Sequence, residues 1–379
     1  MRIGIDARFV GPEGTGLGKY TEKLIENLQE VDQKNSYCIF LKQDNWSYLT
    51  LKNKNFSKVL ANVNWYSLHE QIKMSAIFSN QNLDLLHVPH FNVPVLYRKK
   101  FIVTIHDLIH HDFNQESATT RNPVIFKIKR LAYKITIDHA IKKSAKIIVP
   151  SNFVKEEISK VFRVDSGKII VTYEAAEEKY FQKPKISKPK TQKYLLYVGN
   201  AYPHKNLEKL LDAIKILTLN SQLSTLKLVI VCPRDIFWHR LDAQIKNRNL
   251  QSKVTLYGYL PTDNLVKLFK NAQAYVSSSL SEGFGLPGLN AFAAGIPVVA
   301  SNIPTFQEIY GNAALYFNPK DKNDIAAQIK KLISDENLKE KLIKKGKDQA
   351  KKYSWRQMAQ KTLNVYQECL IGKQRSPPF

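Results

Sequence analysis

Two successive rounds of strand and helix patterns dominate this chain of 379 residues. In the first round, short apolar runs predict strands at Arg2 to Asp6, Tyr37 to Leu41, Leu85 to Val88, Phe101 to His106 and Lys146 to Val149. Helical spacing of apolar residues predicts helices between them, at Gly18 to Gln29, Tyr66 to Phe78, Pro123 to Lys143 and Asn152 to Phe162. Strands that alternate with helices form βαβ units around a parallel sheet, so we predict an α/β fold.

The second round begins after a basic, proline-bearing segment, Gln182 to Lys190. Its predicted strands are Tyr194 to Val198, Leu226 to Val231, Val254 to Tyr257, Ala274 to Ser278 and Pro297 to Ala300. Its predicted helices are Leu207 to Leu219, Asn264 to Lys270 and Leu286 to Ala294, and the last sixty residues are also helical. We therefore predict an N-terminal domain over 1–175, a linker over 176–193 and a C-terminal domain over 194–354. A terminal helix over about 355–379 is expected to pack on the first domain.

Composition excludes several classes of protein. Hydrophobic residues make up 44% and charged residues 24%, which is typical of globular proteins and not of disordered ones. The three cysteines are too widely spaced for a disulfide scaffold or a Cys/His metal cluster. The N-terminus has no secretory signal pattern, and the apolar runs are far shorter than the roughly 20 residues that span a bilayer. We expect a cytoplasmic protein.

The first candidate ligand-binding segment is the glycine-rich run Gly11 to Tyr20, which follows the first strand and opens a helix. Glycines allow a ligand to approach the backbone, and a helix N-terminus attracts anions. Its spacing is not that of a dinucleotide-binding fingerprint. An anion-binding loop and a tight turn without a ligand both remain open.

The second candidate is His106, in the run Thr104 to Leu108 at the carboxyl end of a predicted strand. Ligands bind at the carboxyl ends of strands in doubly wound sheets, which favours a role for this histidine in the site. The alternative is a structural histidine held by Asp107.

Two further segments lie in the second half. Tyr197 to Leu207 has the order strand, glycine turn, lysine and helix, so Lys205 is placed to bind a diphosphate, although a solvated surface lysine is the alternative. The run Ser277 to Ser301 places Glu282 and two glycines before a helix of small residues. Glu282 could accept hydrogen bonds from a polyol, and the amides that follow it could bind a phosphate.

These segments together resemble family 4 of the retaining glycosyltransferases, also described as group 1 glycosyl transferases. The resemblance runs from the loop at Gly14 to Gly18, through Thr104 to Leu108 and Val149 to Phe153, to Gly199 to Leu207 and Ser281 to Ser301. It implies the GT-B fold, in which two Rossmann-like, doubly wound parallel-sheet domains face a central cleft. It also implies transfer from a nucleotide sugar without a cofactor and without a metal.

The resemblance also implies roles for individual residues. The first glutamate of the family's E-x7-E motif, which binds the donor sugar, corresponds to Glu282, so the resemblance implies a catalytic role for this residue. Donor-binding backbone is implied at Gly16, Gly199, Gly283, Phe284, Gly285 and Leu286. Lys205 matches the family's diphosphate-binding lysine, Asn200 lies where an arginine is usual, and His106 would line the reactive face of the sugar as a catalytic residue.

One position departs from the family pattern. The second motif glutamate, which holds the nucleotide ribose, corresponds to Asn290. An asparagine can accept a hydrogen bond from a ribose hydroxyl but less strongly than a carboxylate. An altered or non-catalytic sugar-nucleotide-binding paralogue is therefore an alternative, as is a nucleotide-sugar epimerase of the same fold.

The leading functional prediction is a hexosyltransferase that uses a GDP- or UDP-sugar and a glycan or lipid-linked acceptor in polysaccharide, lipopolysaccharide or glycolipid synthesis. The net charge of +24 and the basic stretch Arg121 to Lys146, with apolar residues at helical spacing, suggest peripheral contact with an anionic membrane at the inner face of the plasma membrane. The alternative is a helix packed on its own domain with a solvated basic face. No basic stripe interleaved with aromatics indicates a nucleic-acid partner.

Overall fold

The computed structural model describes residues 1–11, 15–112, 123–182, 193–219 and 221–371. The chain divides into two compact units. The first unit comprises Met1–Glu174 and Ser354–Phe379, and the second unit comprises Ala175–Tyr353. Gly14, Arg121 and residues 183–192 of the predicted linker lie outside the described residues.

The first unit is built on a seven-stranded parallel sheet with the order β3-β2-β1-β4-β5-β6-β7. Its strands are β1 (Arg2–Asp6), β2 (Ser36–Leu41), β3 (Phe56–Leu60), β4 (Leu85–Val88), β5 (Phe101–Thr104), β6 (Ile147–Val149) and β7 (Ile169–Val171). Its helices are α1 (Thr15–Val31), α2 (Leu68–Ser79), α3 (Ile109–Asp112), α4 (Pro123–Lys143) and α5 (Asn152–Phe162). The order reverses between β1 and β4, so this unit is doubly wound.

The second unit is built on a six-stranded parallel sheet with the order β10-β9-β8-β11-β12-β13. Its strands are β8 (Tyr194–Val198), β9 (Lys227–Val231), β10 (Val254–Tyr257), β11 (Ala274–Ser277), β12 (Val298–Ser301) and β13 (Ala314–Phe317). Its helices are α6 (Glu178–Phe181), α7 (Leu207–Leu219), α8 (Ile236–Asn247), α9 (Thr262–Asn271), α10 (Leu286–Ala294), α11 (Pro304–Tyr310), α12 (Lys322–Ser334) and α13 (Glu336–Ala350).

The last helix, α14 (Trp355–Ile371), packs against α1 in the first unit. Its Tyr366 is buried, and the hydroxyl lies 2.7 Å from Nδ1 of His87 on β4. The other ring nitrogen of His87 lies 2.8 Å from the hydroxyl of Thr104. The chain therefore returns to the first unit after the second unit is complete.

Local sequence explains why the central elements form where they do. The four residues of each of β4, β5, β11 and β12 are buried, as expected for strands with both faces covered by helices. Ser151 caps α5 by accepting a hydrogen bond from the amide of Val154. Asp235 caps α8 in the same way through two amides.

Several predicted boundaries were wrong. β5 ends at Thr104, so His106 lies beyond the strand. The helix predicted from Tyr66 begins at Leu68, because Tyr66 has a left-handed φ of 59° and Ser67 is the N-cap. The predicted linker 176–193 contains a helical turn, α6, whose Tyr180 is buried against Phe269.

Candidate functional site

The donor-binding residues predicted in the second unit lie at the carboxyl ends of two neighbouring strands. β8 and β11 pair in parallel, and the strand order reverses between them. The segment from Gly199 to Lys205 follows β8, and the segment from Ser278 to Glu282 follows β11. Such a reversal point is where doubly wound sheets bind their ligands.

Lys205 and Glu282 form an ion pair at this point. Nζ of Lys205 lies 2.6 Å from Oε1 of Glu282, and the two side chains are 14% and 17% exposed. The hydroxyl of Ser279 donates a second hydrogen bond of 2.6 Å to the same carboxylate oxygen. Lys205 and Glu282, which are 77 positions apart in the sequence, thus form one partly accessible ion pair.

The environment keeps the Glu282 carboxylate ionised. Burial alone would raise the pKa of Glu282, but the positive charge of Lys205 and hydrogen bonds from Lys205 and Ser279 outweigh it and lower the pKa. The carboxylate therefore acts as a hydrogen-bond acceptor, and the Lys205 ammonium has three donors, of which Glu282 needs one.

Two side chains that the sequence analysis did not single out fix the backbone around this pair. Asn206 adopts a left-handed φ of 57° and donates hydrogen bonds to the carbonyls of Ser278 and Pro319. The hydroxyl of Ser278 donates to the carbonyl of Lys205. The segments after β8 and β11 are therefore tied together directly beside the ion pair.

The loop after Glu282 is shaped by buried contacts with α11. Gly285 has a φ of 96° and is the N-cap of α10, and its carbonyl accepts a 2.6 Å hydrogen bond from the hydroxyl of Tyr310. A Cβ at Gly285 would lie 2.4 Å from that hydroxyl, and a Cβ at Gly288 would lie 2.2 Å from it. The hydroxyl of Thr305 holds the carbonyl of Glu282 at 2.6 Å. Glycine is thus required where the backbone of Gly283 to Leu286 was predicted to meet the donor.

The turn after β8 presents Gly199 and Asn200. Gly199 has a φ of 155°, and the hydroxyl of Tyr197 fixes the turn by donating to the carbonyl of Asn200 at 2.7 Å. Oδ1 of Asn200 is buried and accepts no hydrogen bond within the described part of the chain. It remains an acceptor that a ligand hydroxyl could satisfy.

Asn290 lies on α10, one turn after Leu286, and is buried. Its Oδ1 accepts a 3.2 Å hydrogen bond from the amide of Glu177, just before α6. The residue that replaces the second motif glutamate therefore contacts the segment that opens the second unit. Its predicted ribose contact stays a prediction.

In the first unit, His106 is held by two acceptors. Nδ1 lies 3.3 Å from Oε1 of Glu174, Nε2 lies 3.2 Å from the carbonyl of Pro89, and the ring packs edge-on against Tyr20. Which ring nitrogen donates depends on the tautomer, and the two contacts together orient the ring. The structural alternative named Asp107 as the partner, but Asp107 instead accepts a hydrogen bond from the amide of Ile109.

Gly16 lies in the first turn of α1 and is exposed, with open space where a Cβ would be. Gly18, by contrast, needs to be glycine, since a Cβ there would lie 2.3 Å from the carbonyl oxygen of Phe9. The glycine-rich segment is thus partly a packing requirement. The ligand contact predicted at Gly16 stays a prediction.

Of the residues that sequence reasoning missed, Glu174, Thr305 and Tyr310 have no local signal. Each acts on a partner at least 23 positions away, so only the tertiary fold reveals it. Asn206 and Ser278 did lie within the segments that we singled out. Their role could have been suspected from short polar side chains at strand and helix ends.

Comparison with known protein families accounts for most of the chain. Residues 178–349 match the family described as glycosyl transferases group 1, and residues 47–177 match the family described as glycosyltransferase family 4. The chain belongs to the group 1 glycosyl transferases, family 4. The resemblance inferred from its motifs is confirmed.

Similar sequences include two bacterial proteins that are named as mannosyltransferases. The O-antigen chain mannosyltransferase RfbU of Salmonella typhimurium is 27% identical over 333 residues, which cover 85% of this chain and 88% of that protein. The O-antigen chain mannosyltransferase B of Escherichia coli is 29% identical over 295 residues, 74% of each chain.

Solved structures show the same fold. Sucrose-phosphate synthase from Thermosynechococcus elongatus superposes with a TM-score of 0.78 at 19% identity, over 98% of this chain and 100% of that one. WaaG, a glycosyltransferase involved in lipopolysaccharide biosynthesis, gives 0.75 at 14% identity, over 96% and 99%. The predicted GT-B fold of two Rossmann-like, parallel-sheet domains is confirmed, and this group 1 glycosyltransferase is an enzyme as predicted.

Among the described residues, no helix is both long enough and apolar enough to cross a membrane. The same part of the chain holds no group of three or more His, Cys, Asp or Glu side chains suited to a metal ion. Metal-independent transfer remains a prediction.

Proposed function

We propose that this enzyme transfers a mannose-like hexose from a nucleotide sugar, with GDP-mannose as the first candidate donor, to a glycan or lipid-linked acceptor. The names of two relatives, both O-antigen chain mannosyltransferases, support the sugar and the pathway class. The structural observation that carries the proposal is the Lys205–Glu282 ion pair at the reversal point of the second sheet. It provides an acceptor for sugar hydroxyls and a cation for the diphosphate within one group.

The geometry suggests a division of work between the two charges. The ionised Glu282 accepts hydrogen bonds from hexose hydroxyls, while Lys205 directs its remaining N–H groups at the diphosphate. Negative charge grows on the diphosphate as its bond to the anomeric carbon breaks, so a fixed cation stabilises the transition state more than the ground state. The N-terminal end of α10, beginning at Leu286, contributes a positive dipole end to the same region.

The proposed reaction retains the anomeric configuration. The bond from the anomeric carbon to the diphosphate oxygen breaks, and the acceptor hydroxyl oxygen forms a new bond on the same face of the sugar. The hydroxyl proton passes to the departing phosphate oxygen, so no protein base is required. In this scheme His106, whose ring is oriented by Glu174 and the carbonyl of Pro89, would line the reactive face of the sugar.

A transfer assay tests the donor and the stereochemistry. Purified enzyme is incubated with membrane extract as the acceptor source and with GDP-mannose or UDP-glucose labelled in the sugar. We expect label from GDP-mannose in the glycan fraction, released by an α-specific mannosidase. Transfer only from UDP-glucose would overturn the donor assignment, and a β-linked product would overturn retention.

The replacement at position 290 defines a second candidate, a sugar-nucleotide-binding protein without turnover. Asn290 is neutral, and its Oδ1 already accepts a hydrogen bond from the amide of Glu177. The same assay separates the two functions. Saturable donor binding without consumption of any donor would favour the second candidate.

A further inference from the structure

A short stretch of chain, residues 174–177, makes a contact with a candidate site residue at each of its ends. Glu174 is the last residue of the first unit, and its carboxylate lies 3.3 Å from Nδ1 of His106. Glu177 belongs to the second unit, and its amide donates a 3.2 Å hydrogen bond to Oδ1 of Asn290. We call residues 174–177 the connecting segment, because the chain passes within it from one unit to the other.

The Glu174 end of the connecting segment is fixed within the first unit. Glu174 is 6% exposed. A carboxylate buried to this extent needs a polar partner, and the imidazole of His106 provides one. The same ring lies 3.2 Å from the carbonyl of Pro89 through Nε2 and packs edge-on against Tyr20. A displacement of Glu174 would therefore act directly on the orientation of His106.

The Glu177 end is fixed on α10, within the second unit. Asn290, which accepts from the Glu177 amide, is buried in the middle of this helix. The helix is closely packed on both sides. A Cβ at Gly288 would lie 2.2 Å from the hydroxyl of Tyr310, and a Cβ at Gly346 of α13 would lie 2.4 Å from the ring of Phe292. Packing of this density leaves α10 little freedom to shift, so Asn290 is a firm support.

Two further contacts attach the chain that follows to the second unit. The ring of Tyr180 on α6 is buried and packs edge-on against Phe269 of α9, with 5.2 Å between the ring centres. Next, the Lys270 ammonium donates to the carbonyl of Gln182. The attachment to the second unit therefore begins at the amide of Glu177 and continues from there.

The two ends of the connecting segment are too close along the chain to move independently. Three peptide units separate Glu174 from Glu177, and they span at most about 11 Å. Ala175 and Ala176, which lie between them, are 2% and 4% exposed. Small side chains in close packing absorb little displacement. A shift of the Glu177 amide would thus be passed to the Glu174 carboxylate.

We propose that Asn290 is a positioning residue. Through the amide of Glu177 it fixes the connecting segment, and thereby Glu174 and the ring of His106. This role differs from the ribose contact that the family resemblance implies for position 290. An asparagine suits it, because Oδ1 accepts a hydrogen bond from a backbone amide without placing a buried negative charge on α10. The inference rests on the proposed function in one respect, that His106 serves the transfer.

Nuclear magnetic resonance of the histidine rings tests the positioning in the full chain without donor or acceptor. The protein carries isotopically labelled histidine, and the signal of His106 is identified by its loss in His106→Asn. We expect Asn290→Ala to shift or broaden that signal. The matched control is Gln273→Ala, which removes another buried side-chain amide from the second unit and should leave the signal in place.

Replacement of Glu177 tests the same hydrogen bond from its other side. Glu177→Pro removes the donating N–H at a residue whose φ of −74° proline adopts. Glu177→Ala is the control, because it loses the same side chain and keeps the N–H. We expect the proline variant alone to alter the His106 signal. An unchanged His106 signal in both Asn290→Ala and Glu177→Pro would overturn the proposal.

Transfer kinetics separate positioning from contact with the donor. Asn290→Ala should lower kcat roughly tenfold or more, since a small misplacement of a site residue is costly, and should leave the Kd of the donor unchanged. In the His106→Asn background the same replacement should lower kcat no further, because the ring that Asn290 positions is absent. Circular dichroism spectra establish that each variant is folded.

Two kinetic results would contradict the assignment. If Asn290→Ala weakens donor binding by the factor by which it lowers kcat, Asn290 contacts the donor. If it lowers kcat equally in the parent and in His106→Asn, it acts elsewhere than on His106. Failure of the proposed function is recognised separately. A chain that transfers no hexose, but whose His106 signal responds to Asn290→Ala and Glu177→Pro, has the positioning without the reaction.

Discussion

At the scale of single residues, the account rests on charges that would be costly if they were unpaired. Lys205 and Glu282 form an ion pair of 2.6 Å and remain partly exposed. A ligand can therefore contact both side chains without disrupting buried packing. The ring of His106 is likewise held by partners on both sides, with the Glu174 carboxylate at Nδ1 and the Pro89 carbonyl at Nε2. In both cases the side chain is oriented by the protein before any substrate arrives.

The first prediction concerns Glu282. Glu282→Gln should lower the transfer rate by roughly 10²- to 10³-fold, because a neutral amide accepts sugar hydroxyls less strongly and leaves Lys205 without its counter-charge. The thermal midpoint should change little, since the pair is partly exposed. Steady-state transfer kinetics and calorimetry provide the two readouts.

The control is Glu336→Gln, which removes an exposed carboxylate from the same unit, where it pairs with Lys339. It should transfer at the parent rate. Comparable rates for Glu282→Gln and its parent would remove Glu282 from the donor site.

At the scale of elements, the segments that carry the site are held by a few buried hydroxyls and amides. The α10 N-terminus depends on Tyr310, and the segments after β8 and β11 depend on Asn206 and Ser278. These bonds join elements that neighbour each other only in the folded sheet. Weakening one should move a loop and leave the sheet intact.

Tyr310→Phe tests this dependence. Losing the hydroxyl that donates to the carbonyl of Gly285 should lower the free energy of unfolding by about 1 to 2 kcal/mol and weaken donor binding. Tyr316→Phe is the matched control, since the Tyr316 hydroxyl donates to the carbonyl of Gly311 at 2.7 Å and lies 3.0 Å from that of Phe306. The control should lose stability but keep donor affinity. An equal loss of affinity in both would show a general effect of destabilisation.

The contact between α14 and His87 predicts that the stability of the fold depends on pH. Burial, together with the charge of nearby His106, lowers the pKa of His87 from 6.5 to about 3. Its neutral ring lies between Tyr366 and Thr104. Between pH 6.5 and about 3 the unfolded chain binds a proton there that the folded chain does not, so stability contributed by His87 is complete above pH 6.5 and declines below it.

Urea unfolding at a series of pH values measures that decline. His87→Gln should be less stable than its parent at neutral pH, and the difference between the two should narrow steadily as the pH falls below 6.5. A difference that stays constant between pH 7 and pH 4 would contradict the account of the buried neutral histidine.

At the scale of the whole molecule, the sequence predicted the central strands and one edge strand, β10, but missed the other three edge strands, β3, β7 and β13. Ser57 and Lys58 interrupt the apolar residues of β3, which hides that strand in the sequence. The short apolar runs of β7 and β13 are present in the sequence and were not recognised as strands. α8 was also missed, although Asp235 caps it and Leu241 and Ile245 are buried.

The sequence motifs predicted which residues belong to the candidate site but not which of them contact each other. Lys205 and Glu282 stood out in the sequence, but their contact depends on β8 lying beside β11, which no local pattern specifies. The same holds for Asn290 and Glu177, 113 positions apart, and for His106 and Glu174. A motif names the chemistry, whereas the order of strands in the sheet decides which groups meet.

The most direct test of the central claim is calorimetric titration of GDP-mannose and UDP-glucose into the purified enzyme, with magnesium and with a chelator. The account predicts saturable binding of one donor under both conditions. Lys205→Ala should weaken that binding by roughly tenfold or more, whereas Lys209→Ala, an exposed lysine on α7, should not. Absence of binding for both donors, or equal affinities for the enzyme and Lys205→Ala, would contradict the assignment of the Lys205–Glu282 pair as the nucleotide-sugar site.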